Sequence, residues 1–318
     1  MKAVFDPEKV ERELYLLERE LSLRETRTIL FNLVIFSQKG DDSFIEDGLL
    51  PFLLGKRATR ILRISLGHTG ETSVSVSARC APDREDKGVC FQEILIENGE
   101  DNAGIAPGSW TAFLIRDLPV YVLWRTDLPA VQGDRGESPL FFAREQADKF
   151  LLDGELYASL GLSEYLRRVR TYLVGAGTQV TDFAWERLRL LRVFTAQVFD
   201  QPSLYSLLPY VTELQVRAPS ELSAWYYTSW VASVLGEGAR QMKIVRNLGK
   251  ELAAEYHFRD TPHTLKFQVN REGIGKAVFG DEEGIVKPLK VPTDGEILLQ
   301  EVDFPIADPV FRQVMKEL

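Results

Sequence analysis

Arginine and tryptophan supply the side chains of this sequence whose types and spacing point most directly to binding. Arg79 stands on the polar side of an alternating segment, and Arg125 closes the run Leu123-Trp124-Arg125. Asp182, Trp185, Arg187, Arg189 and Arg192 crowd into one helical stretch. A guanidinium grips carboxylate or phosphate through a planar fork, and Arg and Trp are enriched where interfaces concentrate their energy. Each also has an ordinary structural role. Asp182 suits a helix cap, Trp185 a core position, and the arginines ion pairs with nearby acids.

Other chemistry is sparse. Gly175-Ala176-Gly177 lacks the third glycine of a dinucleotide fingerprint, because Val180 stands there, and it follows a helical segment; it reads as a helix-ending turn. Asn270 replaces the first glycine of a phosphate loop ahead of Gly275-Lys276, and Ala277 replaces its hydroxyl residue. No nucleophile elbow or paired-histidine metal motif occurs. His68, His257 and His263 read as turn or surface residues. No catalytic residue, metal ligand or cofactor is expected. Cys80 ends one strand-like segment and Cys90 begins the next. A hairpin would set them opposite each other, within reach of a reversible disulfide. Two buried free thiols are the expectation for a reducing compartment.

The elements that must position these residues fall into two groups. Asp6-Pro7 opens a helix carrying Val10, Leu14, Leu17 and Leu21 at helical spacing. A strand follows over 26–36, then a helical stretch over 42–54 that Pro51 must end or split. Leu62, Ile64 and Leu66 alternate with polar residues, as do Val74, Val76, Ala78 and Cys80, and a third strand runs over 89–97. Period-2 alternation in consecutive segments predicts antiparallel strands with one face on a core. Helices near 110–115 and from Pro139 flank strands over 120–124 and 150–152. Beyond Tyr157, helices are expected over 166–174, 182–199 and 221–235, strands over 210–217, 243–246, 264–269, 285–291 and 296–302, and a last helix from Pro309. The fold class is therefore α/β or α+β, with two mixed domains, 1–160 and 161–318, each a mixed or largely antiparallel sheet flanked by helices.

Composition narrows the function classes. The chain has 318 residues, 45% hydrophobic and 27% charged, which suits a soluble globular protein. Its 38 Lys and Arg against 47 Asp and Glu leave a net charge of −9, against a dedicated nucleic-acid binder. The N-terminus has no leader pattern and no apolar run is long enough for a membrane span, so a cytoplasmic location is expected, with no membrane partner.

Five motifs in order resemble the OpcA family of glucose-6-phosphate dehydrogenase assembly proteins. They are Arg27-Thr28-Ile29-Leu30-Phe31-Asn32, then Ala78-Arg79-Cys80 with Val89-Cys90, then Asp117-Leu118-Pro119-Val120 with Leu123-Trp124-Arg125 and Asp127-Leu128-Pro129. Asp182 with Trp185, Arg187-Leu188 and Arg192 is the fourth, and Ser223-Ala224, Trp230 and Ala232-Ser233 with Leu235-Gly236 the fifth. Arg189-Leu190-Leu191 stands where the family has Thr-Pro-Trp, which removes a helix irregularity, and Phe91 stands where a second adjacent cysteine is expected. The resemblance implies a non-catalytic protein that binds glucose-6-phosphate dehydrogenase, promotes its active oligomer, and so regulates the oxidative pentose phosphate pathway. In cyanobacterial members that role is linked to redox control, which makes Cys80 and Cys90 the redox candidates. On this reading exposed Arg79, Arg125, Arg187 and Arg192 form the partner surface, supported from the core by Trp185 and Trp124. The alternative is a protein that senses a sugar phosphate or nucleotide through its clustered arginines.

Overall fold

The computed structural model describes residues 6–21, 28–67, 72–83, 87–97, 109–129, 138–270 and 272–316. Arg27 and His68 lie outside the described residues. The chain divides into two compact units: 1–153 with 167–181 and 293–307, and 154–166 with 182–292 and 308–318.

In the first unit the helix α1 (Pro7–Glu20) starts at Asp6, whose carboxylate accepts the Glu8 amide, and it buries Val10 and Leu14. Seven strands follow as one sheet: β1 (Phe31–Gln38), β2 (Thr59–Leu66), β3 (Ser73–Pro82), β4 (Gly88–Glu97), β5 (Val120–Arg125), β6 (Lys149–Leu152) and β7 (Val180–Asp182). Their spatial order is β3-β4-β2-β1-β5-β6-β7. The strand β3 runs antiparallel to β4, whereas β4, β2, β1, β5 and β6 are parallel neighbours. This corrects the expectation of antiparallel strands through the middle of the domain.

The reason lies in the polar positions of β2. Arg60, Arg63 and Ser65 are buried along with the leucines and isoleucines, so both faces of that strand are covered, as parallel sheets require. Arg60 donates to Gln92 (2.9 Å), to the Phe113 carbonyl (3.2 Å) and to Glu11 of α1. Arg63 meets Asp42 (2.6 Å), Glu46 (2.5 Å) and Glu93 (2.8 Å). Glu46 belongs to a π-helical turn, Phe44–Leu49, which runs into the short α2 (Leu50–Leu53) with Pro51 in its first turn. Asn32 of β1, wholly buried, holds the loop before β5 by both hydrogen-bonding groups. Its amide donates to the Ile115 carbonyl (3.0 Å) and its oxygen accepts the Ile115 amide (2.9 Å).

The first unit also holds α3 (Pro139–Gln146), opened by Pro139 as expected, and α9 (Asp294–Asp303), where the alternation of Glu296 to Val302 predicts a strand. A capping box decides for helix: the Thr293 hydroxyl accepts the Glu296 amide, and the Glu296 carboxylate accepts the Thr293 amide. Gly295 packs where a Cβ would fall 2.0 Å from Phe52. Glu301 of α9 meets the fully buried Lys149 of β6 at 2.6 Å and accepts the Thr181 hydroxyl at 2.8 Å.

The second unit holds a six-stranded sheet. Its strands are β8 (Val211–Ala218), β9 (Lys243–Leu248), β10 (Leu252–Phe258), β11 (Thr264–Val269), β12 (Ile274–Phe279) and β13 (Ile285–Pro288), in the order β13-β12-β11-β10-β8-β9. All neighbours are antiparallel except β8 and β9, which α8 (Glu221–Leu235) connects. One face carries Leu214, Val216, Tyr256, Leu265 and Phe267 into the core. The other carries Glu213, Arg217, Lys266 and Lys276 outward. Ala253-Ala254 in β10 and Gly275 in β12, residue types depleted in strands, made these two faint in the sequence. No described helix is long and apolar enough to cross a membrane.

Removing one partner of a buried ion pair leaves an uncompensated charge. Glu301→Ala is expected to cost about 3 kcal/mol in urea unfolding. A loss below about 0.5 kcal/mol, the size of a surface change, would show that Lys149 is solvated some other way.

Candidate functional site

Each unit gathers part of the arginine and tryptophan set. In the first unit Arg79 of β3 is the exposed member, its side chain 44% accessible. It pairs with Glu46 at 2.8 Å, reaches Glu93 at 3.6 Å, and lies 5.6 Å from the centroid of Phe91. The next residue along, Cys80, is directly opposite Cys90 on β4, and the two sulfurs are bonded. The expectation of free thiols is thereby corrected. The reason is register: the facing pair has its Cα atoms only 4.0 Å apart, on a strand pair with no bulge.

Arg125 and Trp124 belong to the interior. Arg125 lies 3.5 Å over the ring of Phe44 and 3.4 Å from Asp41, 8% exposed. Trp124 packs between Phe36 and Phe150, with ring centroids 4.8 and 5.9 Å away, and its Nε1 donates to the Asp127 carbonyl. The expectation that Arg125 is exposed does not hold. Local acids and an aromatic face make burial of a guanidinium affordable where charge counting alone would send it to water.

In the second unit the segment 182–199 forms two helices, α5 (Phe183–Arg187) and α6 (Arg189–Phe199), rather than the one expected. The break at Leu188 occurs without a proline. The Trp185 carbonyl accepts the Leu188 amide at 3.1 Å and Nη1 of Arg192 at 2.6 Å. Arg192 also stacks its guanidinium 3.7 Å over the Trp185 ring, and Asp308 closes the group, 3.5 Å from Arg192 and 2.9 Å from the Trp185 Nε1. Arg192 is therefore buried, a second correction, and burial lowers its pKa to about 10. The tail helix α10 (Pro309–Lys316) contributes Phe311, 5.5 Å from Trp185.

Asp182 does cap α5, through the Ala184 amide at 2.8 Å, and it does more. Its carboxylate, fully buried, also accepts the Gly154 amide (2.9 Å) and the hydroxyls of Tyr165 (2.6 Å) and Tyr226 (2.5 Å). Burial, reinforced by the Asp182 charge, holds both phenols well above their ordinary range. A side chain at 154 would fall 2.4 Å from Leu222 and 2.6 Å from Asp182, so glycine is required there. Sequence reasoning missed Tyr165 and Tyr226; a helical tyrosine gives no signal of what its hydroxyl meets.

Arg187, half-buried at the end of α5, opens onto a cavity of about 660 Å³ wholly within the second unit. The start of α6, the turn before β10, the β11–β12 turn and residues 289–291 wall it. Leu188, Leu191, Leu252, Val269 and Leu289 form its apolar surface, and Lys250 and Lys290 join Arg187 as its cations. Among the described residues no group of three or more metal-ligating side chains converges.

Two family models match in sequence order. The N-terminal domain of the glucose-6-phosphate dehydrogenase subunit, OpcA type, matches residues 53–156, and the corresponding C-terminal domain matches residues 178–315. No curated protein matches the chain. Solved structures that resemble it include a dehydrogenase from Chromobacterium violaceum, at 11% identity over 92% of this chain and 95% of that one, TM-score 0.41. A glucose-6-phosphate 1-dehydrogenase from Mycobacterium avium covers 91% of this chain and 87% of that one at 9% identity, TM-score 0.44. An oxidoreductase from Sinorhizobium meliloti covers 91% and 94% at 7% identity, TM-score 0.46. None reaches a TM-score of 0.5, so the likeness decides neither fold nor function.

The buried phenols set the alkaline limit of stability. Tyr165, Tyr226 and Tyr256 are held well above 10, and burial pushes Tyr227 up to about 12. An acid whose pKa is raised on folding stays protonated in the native state while the unfolded chain ionises, so stability falls once pH exceeds 10. Arg192, lowered to about 10, and Arg246, lowered by burial, act in the opposite sense, while the Tyr121 phenol, raised by burial, adds to the four. Unfolding free energy is expected to drop between pH 10 and 12. Tyr227→Phe should lessen that slope by about 1.4 kcal/mol per pH unit. Urea titrations at pH 9.5, 10.5 and 11.5 that give parallel losses for both proteins would refute the assignment.

Proposed function

The chain belongs to the OpcA family of glucose-6-phosphate dehydrogenase assembly proteins, and from that membership we propose that it is a non-catalytic assembly factor and activator of this dehydrogenase. It binds the enzyme in the cytoplasm, favours the active oligomer, and so regulates entry into the oxidative pentose phosphate pathway. The observation that carries the reading is the order of the two matched domains, 53–156 and 178–315, which together span most of the chain. An activator shifts its partner only by the difference in its affinity for the active and inactive assemblies. The contact surface must therefore bind the active oligomer more tightly than the inactive form.

Of the arginine set, Arg79 and Arg187 are accessible enough to meet a partner directly. Arg125, Arg192, Trp124 and Trp185 act beneath the surface as supports. Arg79 is held out on an edge strand by Glu46 and Glu93, which leaves its guanidinium oriented for a carboxylate of the partner. The Cys80–Cys90 bond adjoins it, so oxidation state would be felt at the same position.

The cognate dehydrogenase should co-purify with this protein and gain activity when it is added. Arg79→Ala should weaken the complex about tenfold, the effect of losing one interfacial arginine. Arg192→Ala should instead lower the melting temperature. Absence of both binding and activation with the unaltered protein would sink the assignment. If Cys80→Ser with Cys90→Ser leaves activation and its response to reductant unchanged, the cysteines have no part in it.

A further inference from the structure

We propose that another, smaller cavity of the second unit is a binding site for an organic cation, an alkylated ammonium or a guanidinium group. It lies between the C-terminal ends of α6 and α8, the short α7 (Pro202–Tyr205) and β10, and holds about 170 Å³. That is below the roughly 300–1,000 Å³ of a pocket for a whole drug-sized molecule, so it takes a head group or the end of a side chain. Four aromatic residues line it: Phe199, Tyr205, Trp230 and Tyr256. Aromatic faces are electron-rich, and cages of them recognise quaternary ammonium groups and methylated lysines.

The electrostatics point the same way. Asp200 is the carboxylate of the lining, exposed and without an ion-pair or side-chain hydrogen-bond partner among the described residues. No basic side chain is found among the described lining residues. Residues 193–210 and 222–236, which supply all of those residues but Tyr256, contain Asp200 as their one charged side chain. On β10, Glu255 and His257 flank Tyr256 and so project from the opposite face of the sheet. The next charges beyond α8, Glu237 and Arg240, pair with each other at 3.5 Å. Helices α6 and α8 both end at the cavity, and neither carries a base in its last turn. Their carbonyl ends add partial negative charge that a bound cation would satisfy.

The walls are fixed before a ligand arrives. Phe199 packs edge-on against Tyr256 with ring centroids 5.1 Å apart, and Trp230 lies 5.7 Å from Tyr227. The Tyr256 hydroxyl shares a hydrogen bond with that of Tyr227 (2.9 Å), which shares another with Thr195 (2.9 Å). These hydroxyls are engaged with one another, which leaves Asp200 as the polar side chain free to meet a ligand. Tyr205, 64% exposed, is the most open of the four aromatics.

Calorimetric titration of the full chain tests the proposal without the dehydrogenase, so its outcome is independent of the assembly role. Choline represents a free quaternary ammonium, and N-acetylarginine amide represents a side chain presented by a protein. The alcohol 3,3-dimethylbutan-1-ol is the neutral isostere of choline. Saturable binding of at least one cation, with Kd below about 1 mM and at least about tenfold tighter than the alcohol, is the expected result. The tighter of the two cations identifies the source. Asp200→Asn should weaken binding about tenfold and Tyr205→Ala about threefold, and both positions are exposed, so the melting temperature should hold. Glu255→Gln, on the opposite face of β10, should bind as the unaltered protein does. No saturable binding of either cation, equal binding of the alcohol, or indifference to both cavity variants would overturn the assignment.

Discussion

The second unit depends on the carboxylate of Asp182. A wholly buried charge is tolerable only if every lone pair it turns inward finds a donor. Here four do: the amides of Gly154 and Ala184 and the hydroxyls of Tyr165 and Tyr226. Those donors come from three stretches far apart in the chain, namely residues 154–166, the first turn of α5, and the middle of α8. The carboxylate therefore fixes where the unit's pieces meet, and the aromatic packing builds outward from it. Tyr226 meets Trp185 at 5.6 Å and Phe311 of the tail helix at 5.8 Å, so even residues 309–316 are placed by contacts that lead back to Asp182.

The same economy explains the arginines. Arg60, Arg63, Arg125 and Arg192 are all buried, and each is surrounded by carboxylates, carbonyls or an aromatic face before it meets any other molecule. For Arg63, burial acts to lower the pKa, yet the Glu93 hydrogen bond and charge, with Glu46 and Asp42, outweigh it and raise the value. Guanidinium groups placed in this way hold helices to a sheet, since removing one would strand several acids. Most of the arginine and tryptophan signature of the family is thus architecture. Arg79 and Arg187 are the members of the predicted partner set that reach water.

Much of this was legible in the residues, and what was not has identifiable physical causes. Asp6-Pro7, Ser220 and Gly236 mark helix ends by local hydrogen bonding, and α1 and α8 lie where those signals put them. The hidden features are those in which a distant partner overrides local pattern. Alternation in β2 suggested a wet face, but α1 and the 44–49 turn supply acids that dry it. Residues 296–302 alternate like a strand, yet Thr293 and Glu296 close a capping box that starts a helix. The 182–199 segment has no breaker of its own; the side chain of Arg192, reaching back seven residues, takes the carbonyl that a continuous helix would use. The cysteines announced their pairing by position and were discounted on compartment, an argument about surroundings rather than geometry.

That break also joins Arg187 and the cavity it opens onto. Asp182 caps a helix of only five residues, and Arg187 is its last. Leu188 and Leu191, immediately beyond, wall the cavity, while Arg192 holds the Trp185 carbonyl that defines the break. The direction in which Arg187 leaves α5, and the tilt with which α6 begins, follow from interactions that are all buried and all satisfied. The helix end that carries Arg187 is thus set by buried groups before any partner arrives, so less interaction energy is spent on ordering it. Helix α5 is too short to persist alone, and its register rests on Asp182 at one end and Arg192 beyond the other. A change at either end would therefore move Arg187 without touching anything that binds it.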